Sequence, residues 1–217
     1  MSWWSNFVSF ISDGIDFFAH YTGYGWSILI VTLIIRLATL PFYLKQLRYT
    51  KGMQVLQPEI KKIRDKHKND AQKMQQEMMK LYQQYNLNPL SGCFPILIQM
   101  PILLALYRAI MYNTSIKSAS FLWVSSLGLP DHFYILPILA AALTYFQQKM
   151  MMVGTIGGMS EQQQKMMLII YPVMILFISF KFPAALALYW VYGSVFTIAQ
   201  TYFTKTLPAK KEEATAK

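Results

Sequence analysis

Five stretches of this chain are nearly free of charge, and the segments around them repeat apolar residues at helical spacing. The first run, 24–44, is long enough to cross a bilayer, which takes about 20 apolar residues. The others cover 94–112, 133–148, 166–180 and 184–203. The fourth is short, and Pro183 parts it from the fifth by a tight turn, as in a transmembrane hairpin. Residues 1–19 follow another pattern. Trp3, Phe7, Ile11, Ile15 and Phe18 recur at helical spacing, with Ser5, Ser9, Asp13 and Asp16 elsewhere on the wheel. This predicts an amphipathic helix lying on the outer face of the membrane.

The stretch from 45 to 92 carries two further stripes. Met53, Leu56, Ile60 and Ile63 form one; Met74, Met78, Leu81 and Tyr85 form the other. Lys68-Asn69-Asp70 reads as the turn between two antiparallel amphipathic helices. Pro58 kinks or starts the first of them. Pro89 and Gly92 end the hairpin. Gly154–Gly158 reads as a flexible loop, and Ser160 with Gln163 as a capping box for the next helix. The predicted fold is therefore all-α. It comprises an interfacial helix (1–19), a first span (20–44), a cytoplasmic helical hairpin (45–92), spans two to five (93–205) and a disordered tail (206–217).

Composition agrees with a polytopic membrane protein. Of 217 residues, 54% are hydrophobic and only 14% charged, the wrong balance for one soluble domain. A single cysteine, Cys93, excludes an internal disulfide framework and is read as structural. No multi-cysteine metal site exists, and no cofactor is expected. The N-terminus lacks the basic region of a cleavable signal peptide.

The net charge of +10 is unevenly placed. Ten of the Lys and Arg residues fall between 45 and 90, Lys149 and Lys165 flank the third-to-fourth loop, and Lys205, Lys210, Lys211 and Lys217 follow the fifth run. The positive-inside rule then puts the N-terminus outside and the C-terminus in the cytoplasm. Beyond setting topology, the basic hairpin suits anionic lipid or ribosomal RNA.

Arg36 interrupts the first run. Its guanidinium is charged at any accessible pH. Burial at mid-bilayer costs roughly 2.5–3.5 kcal/mol on insertion scales, and no acidic residue lies in any run to offset it. It sits roughly 12–15 Å from either end of the run, too deep to snorkel without strain. Thr32, Thr39 and Tyr43 share its helical face. Gln99 in the second span, Thr144, Gln147 and Gln148 in the third, and Trp190, Ser194, Thr197 and Thr201 in the fifth add polar stripes. Taken one at a time these are ordinary interhelical hydrogen-bonding groups. Taken with an arginine to solvate, they predict a water-filled hydrophilic cavity. The methionines of the hairpin and of the second inner loop fit ordinary packing, and also suit soft binding of varied apolar segments.

Three separated motifs, in order, resemble the YidC/Oxa/Alb membrane protein insertases. Ile35-Arg36-Leu37-Ala38-Thr39-Leu40-Pro41, followed by Lys45-Gln46, resembles the first-span signature. Asn88-Pro89-Leu90-Ser91-Gly92-Cys93-Phe94-Pro95, then Gln99-Met100-Pro101, is similar to the second-span entry. Pro183-Ala184-Ala185-Leu186-Ala187-Leu188-Tyr189-Trp190, with Gln200, is similar to the last span. The match runs over roughly residues 20–205, most like Gram-positive bacterial forms. Those usually begin with a lipoprotein signal and a modified cysteine; neither is visible, which leaves lipidation of the native N-terminus open.

The resemblance implies a hydrophilic groove in the inner leaflet, open to cytoplasm and lipid and closed outside. It makes Arg36, Gln99 and Trp190 groove residues. It makes the hairpin, with Met53, Leu56, Ile60, Met74 and Met78, a substrate-receiving element. Implied partners are nascent membrane proteins, the Sec translocon, the signal recognition particle and its receptor, the ribosome and the bilayer. The expected function is that of an insertase and foldase of the bacterial plasma membrane, not an enzyme. The alternative is a small-anion transporter or channel built on Arg36, although the spans hold no Asp or Glu to carry protons and show no internal duplication. An intramembrane protease would need a Ser–His pair or paired aspartates in the spans, and neither is visible.

Overall fold

Gly23 takes φ 80°, a left-handed value glycine adopts without steric penalty, and here the chain turns back on itself. In the computed structural model, which describes residues 3–85, 94–152 and 161–206, α1 (Trp3–Thr22) precedes this turn and α2 (Tyr24–Ala38) follows it. Ser27 Oγ donates to the Ile15 carbonyl, and Tyr24 Oη donates to Asp16 Oδ1 at 3.1 Å, tying the two helices together. The stripe expected to face lipid is largely turned inward. Ile11 and Ile15 are buried against α2 and the helix over 94–112, while Phe10, Phe17 and Tyr21 remain exposed.

The first apolar run is not one helix. Thr39 ends α2 and opens α3 (Leu40–Lys66), and the two are bent by 56°. Pro41 explains the break: it lacks an N–H and its ring crowds the carbonyl four residues back, yet it suits the first turn of a new helix. Thr39 Oγ1 donates to the carbonyls of Ile35 and Arg36, at 2.9 and 3.2 Å. Arg36 thus lies in the last turn of α2, where the negative end of the helix dipole favours a cation.

The second run, expected over 94–112, forms α5 (Phe94–Tyr112) across Pro101, and α6 (Thr114–Ser118) follows. The remaining runs form α7 (Ile135–Met152), α8 (Glu161–Ser179) and α9 (Ala184–Thr206). Around the main core, α7 packs on α8 and α9, and α9 packs on α2. No single described helix is both long and apolar enough to cross a membrane; α2 with the start of α3 passes only as a bent pair. Internal prolines and polar residues such as Gln99 and Gln147 dilute each run. Large apolar side chains nonetheless face outward, among them Leu97, Leu104, Ile138, Phe146, Ile169, Ile170 and Phe177. The pattern fits a lipid-solvated surface.

α3 and α4 (Ala71–Gln84) pack against each other as a helical pair, called the hairpin below. Asp70 caps α4, its Oδ1 accepting from the Lys73 amide at 2.9 Å. Pro58 lies within α3 rather than starting it. Met53, Leu56, Ile60, Leu81 and Tyr82 close into a core separate from the main one, with Met78 and Ile63 packed at its edge. Across the hairpin Tyr85 Oη donates to Glu59 at 3.1 Å, and this hydrogen bond together with the carboxylate charge pushes the phenol's pKa up. The expected ending at Asn86–Gly92, Cys93, the Gly154–Gly158 loop, the capping box and the tail lie outside the described residues.

At the other end of the bundle, residues 119–134 form a packed cover over the starts of α2, α7 and α9. The Phe121 ring lies over Gly25, where an added Cβ would come within 2.0 Å of it. The amides of Ala184 and Ala185 donate to the carbonyls of Leu129 and Leu127, at 2.7 and 3.0 Å. Asp131, 1% exposed, accepts from Trp123 Nε1 and from the amides of Phe133 and Leu136. Asp131→Ala would orphan one buried donor, the Leu136 amide, and two half-buried ones, Trp123 Nε1 and the Phe133 amide, the buried one at about 1–3 kcal/mol and the others at less. We expect a loss of about 3 kcal/mol, read as a lowered Tm in detergent; an unchanged Tm would show that the cover contributes little.

Candidate functional site

The break after α2 and the start of α3 open a wedge lined by α2, α3, α5 and α9, with one residue each from α7 and α8. Within it lies a cavity of about 230 Å³, lined by Arg36, Thr39, Tyr43, Gln46, Gln99, Gln147, Tyr171, Tyr189, Trp190 and Ser194, with Ile35, Phe42, Ile98, Met100, Ile102 and Leu103 between them. Seven of the eight groove residues expected from sequence are here: Arg36, Thr39, Tyr43, Gln99, Gln147, Trp190 and Ser194. Thr32 is not. It is 1% exposed inside the bundle, its hydroxyl donating to the Ile28 carbonyl at 2.6 Å.

That local bond is general among the helical threonines. Thr144, Thr197, Thr201 and Thr204 each donate to the carbonyl four residues back, at 2.7–2.8 Å. Threonine in a helix commonly spends its proton this way. A threonine stripe in the sequence therefore overstates the donors offered to a ligand. Two of these hydroxyls bond across helices as well: Thr144 Oγ1 accepts from Trp190 Nε1 at 2.9 Å, and Thr201 Oγ1 pairs with Tyr43 Oη at 2.6 Å. Trp190 is thereby fixed to α7 and Tyr43 to α9. Gln99 Nε2 donates to Tyr189 Oη at 3.0 Å, which fixes α5 to α9. The polar wall is held in place by bonds between helices.

Arg36 stands apart. Among the described residues its side chain makes no ion pair or hydrogen bond, and its Nε is buried with no partner. A buried charged donor without an acceptor is costly, and in a native site it implies a ligand or water. The cavity supplies the room. Sequence reasoning missed Tyr171, Tyr189 and Gln46 on its wall. Tyr171 sits one residue before Pro172 in an apolar helix and Gln46 among basic residues, and neither context sets it apart.

The substrate-receiving set on the hairpin divides differently from expectation. Met53, Leu56 and Ile60 are at most 1% exposed, shut inside the hairpin's own core; Met74 and Met78 are half-buried, and Val55, Met79 and Tyr85 are exposed. The stripes pair with each other because each alone would leave a helix face unburied. Among the described residues, no group of His, Cys, Asp and Glu side chains gathers to hold a metal ion.

The family described as 60Kd inner membrane protein matches residues 17–212. The membrane protein insertase MisCA of Bacillus subtilis (strain 168) is 48% identical over 215 residues, 96% of this chain and 81% of that protein. The membrane protein insertase YidC 2 of Bacillus anthracis is 49% identical over 218 residues, 98% of this chain and 84% of that one. A crystal structure of an active YidC insertase with its first transmembrane domain resolved superposes with a TM-score of 0.76 at 26% identity, covering 94% of this chain but 47% of that longer chain. The family match spans nearly the whole chain, including the residues that form the break, the cavity and the cover. The chain belongs to the YidC/Oxa/Alb family of membrane protein insertases.

Proposed function

We propose that the chain inserts nascent membrane proteins by admitting their polar tails into the Arg36 cavity, and that it also assists their folding. The observation that carries this is a guanidinium with no resident counter-ion beside an open polar cavity. An arriving carboxylate would supply the missing partner. At 4 Å such a pair is worth about 4 kcal/mol at an effective dielectric near 20, before desolvation. Desolvation keeps the pair weak enough to release. Partition of the following apolar segment into lipid, about 25 cal/mol per Å² buried, supplies the drive. The membrane potential adds about 2.3 kcal/mol per charge per 100 mV for an acidic tail moving outward.

The topology proposed is five spans: the bent pair of α2 and early α3, then α5, α7, α8 and α9. The N-terminus is outside and the C-terminus in the cytoplasm of a bacterial plasma membrane. Charge asymmetry supports it, since the hairpin continues directly from α3 and holds the densest basic run. The cavity then opens toward the cytoplasm and the 119–134 cover closes the outer side. The basic hairpin suits contact with the ribosome, the signal recognition particle and its receptor, and α5 or α8 suits lateral contact with the Sec translocon. A small-anion transporter or channel has no support among the named relatives, all of them insertases.

Single cysteines at positions 39, 99 and 147, with Cys93 replaced by Ser, test the one-sided cavity. A membrane-impermeant maleimide should label all three from the cytoplasmic side and none from outside. Position 32 should resist both, since Thr32 is sealed in the bundle. Labelling of 39 and 99 from both sides would mean a through-channel and would end this reading.

A further inference from the structure

Gly193 lies in the middle of α9, buried and helical. Its φ is not left-handed, so conformational freedom does not explain a glycine here. Alanine is the better helix former at such a position. Space is the reason. A Cβ built on Gly193 would fall 2.5 Å from Arg36 Nη2, 3.3 Å from Cζ and 3.4 Å from Nε, and these are its three nearest neighbours. The guanidinium therefore rests directly against the bare α9 backbone. The Gly193 carbonyl is already taken by Thr197 Oγ1 at 2.8 Å, and Nε is buried there without an acceptor.

We infer that Gly193 is the positioning residue for Arg36: a seat that fixes the guanidinium by shape while giving it no competing resident acceptor. This rests on the reading of Arg36 as the group that meets an acidic tail. The seat has a specific consequence. The clashing atoms are the far end of a flexible side chain, so an added methyl pushes the guanidinium aside without breaking the helix contact. Gly193→Ala should thus mislocate the charge in a bundle that still folds.

The test uses the full chain in proteoliposomes and two reporter substrates that differ only in an acidic or a neutral translocated tail. The readout is the ratio of their insertion rates. Gly193→Ala should lower that ratio about tenfold, because a displaced binding group loses productive geometry. Thermal unfolding should match the parent chain. In an Arg36→Ala background the same substitution should change nothing further, the non-additivity of two groups acting as one. Gly193→Ala with Arg36→Lys should give the ratio of Arg36→Lys alone, since a slim ammonium clears the methyl.

Should Arg36→Ala lower the ratio while Gly193→Ala leaves it alone, the seat is wrong and the reading of Arg36 stands. Should Arg36→Ala leave it alone, both fall. An equal slowing of both substrates by Gly193→Ala would mark plain packing and would also overturn the seat. If Gly193→Ala does not accumulate, the double variant with Arg36→Ala must, because the clashing group is gone. Its failure would place the conflict in the backbone and sink the inference.

Discussion

Arg36→Ala lowers insertion of acidic-tailed substrates by about thirtyfold, if half of the 4 kcal/mol pair survives desolvation. Arg36→Lys keeps much of the activity, since a point charge still attracts a carboxylate though it cannot bind it through two parallel hydrogen bonds. Substrates without acidic tails fall much less. The measurement is insertion of matched tails in vesicles of defined lipid, repeated across ionic strength. A charge in a partly wet cavity is only partly screened, so the acidic-tail advantage should shrink with salt without vanishing. The effect depends on an Arg36 side chain without a resident partner. Had the structure paired it with Tyr43 or Gln99, removal would cost stability and leave selectivity unchanged. Those two side chains instead bond to Thr201 and Tyr189. If Arg36→Glu inserts acidic tails as well as the parent chain, charge complementarity plays no part.

The route from sequence to site was uneven for physical reasons. Arg36 was legible because an uncompensated charge in an apolar run admits few explanations. Gln99, Gln147 and Trp190 were legible as polar groups among apolar ones. Hydropathy alone does not show the bend at Thr39, because it gives no weight to the N–H that Pro41 lacks. The bend changes the physics of the site. It places Arg36 at a helix C-terminus instead of mid-helix, and it opens the cavity between α2 and α3. Thr32 failed as a groove residue because a helix offers its hydroxyl a carbonyl closer than any ligand. Gly193 left no trace in the pattern at all. Its meaning appears only when the side chain of α2 is seen against the backbone of α9, a contact 157 positions away in the chain. On α1, periodicity gives a face and not its partner, and that partner is protein over Ile11 and Ile15, while Trp3 stays exposed.

The hairpin is the element where the same limit has the largest experimental consequence. Its stripes are legible as two antiparallel helices, and the family resemblance implies a surface for arriving substrates; the structure folds the stripes onto each other. Leu56→Asp then buries a charge without a partner in a core of about five residues. Leu→Ala at such sites already costs about 2–5 kcal/mol, and an unpaired buried charge adds to it. A two-helix core this small has no such reserve, so the hairpin should unfold. The main core shares no residue with it, so the bundle should stay folded. Hydrogen exchange reads this directly: amides of α3 beyond Leu47 and of α4 lose protection while those of α7 and α9 keep it. Val55→Asp, one residue away but 72% exposed, should leave protection in both regions unchanged. The pair separates two accounts of the hairpin. If Leu56→Asp impairs substrate capture and Val55→Asp does not, the folded hairpin is what receives substrates. If Val55→Asp impairs capture with the hairpin intact, the exposed face is the contact surface. If Leu56→Asp leaves hairpin protection intact, the closed core described here is not its state in the membrane.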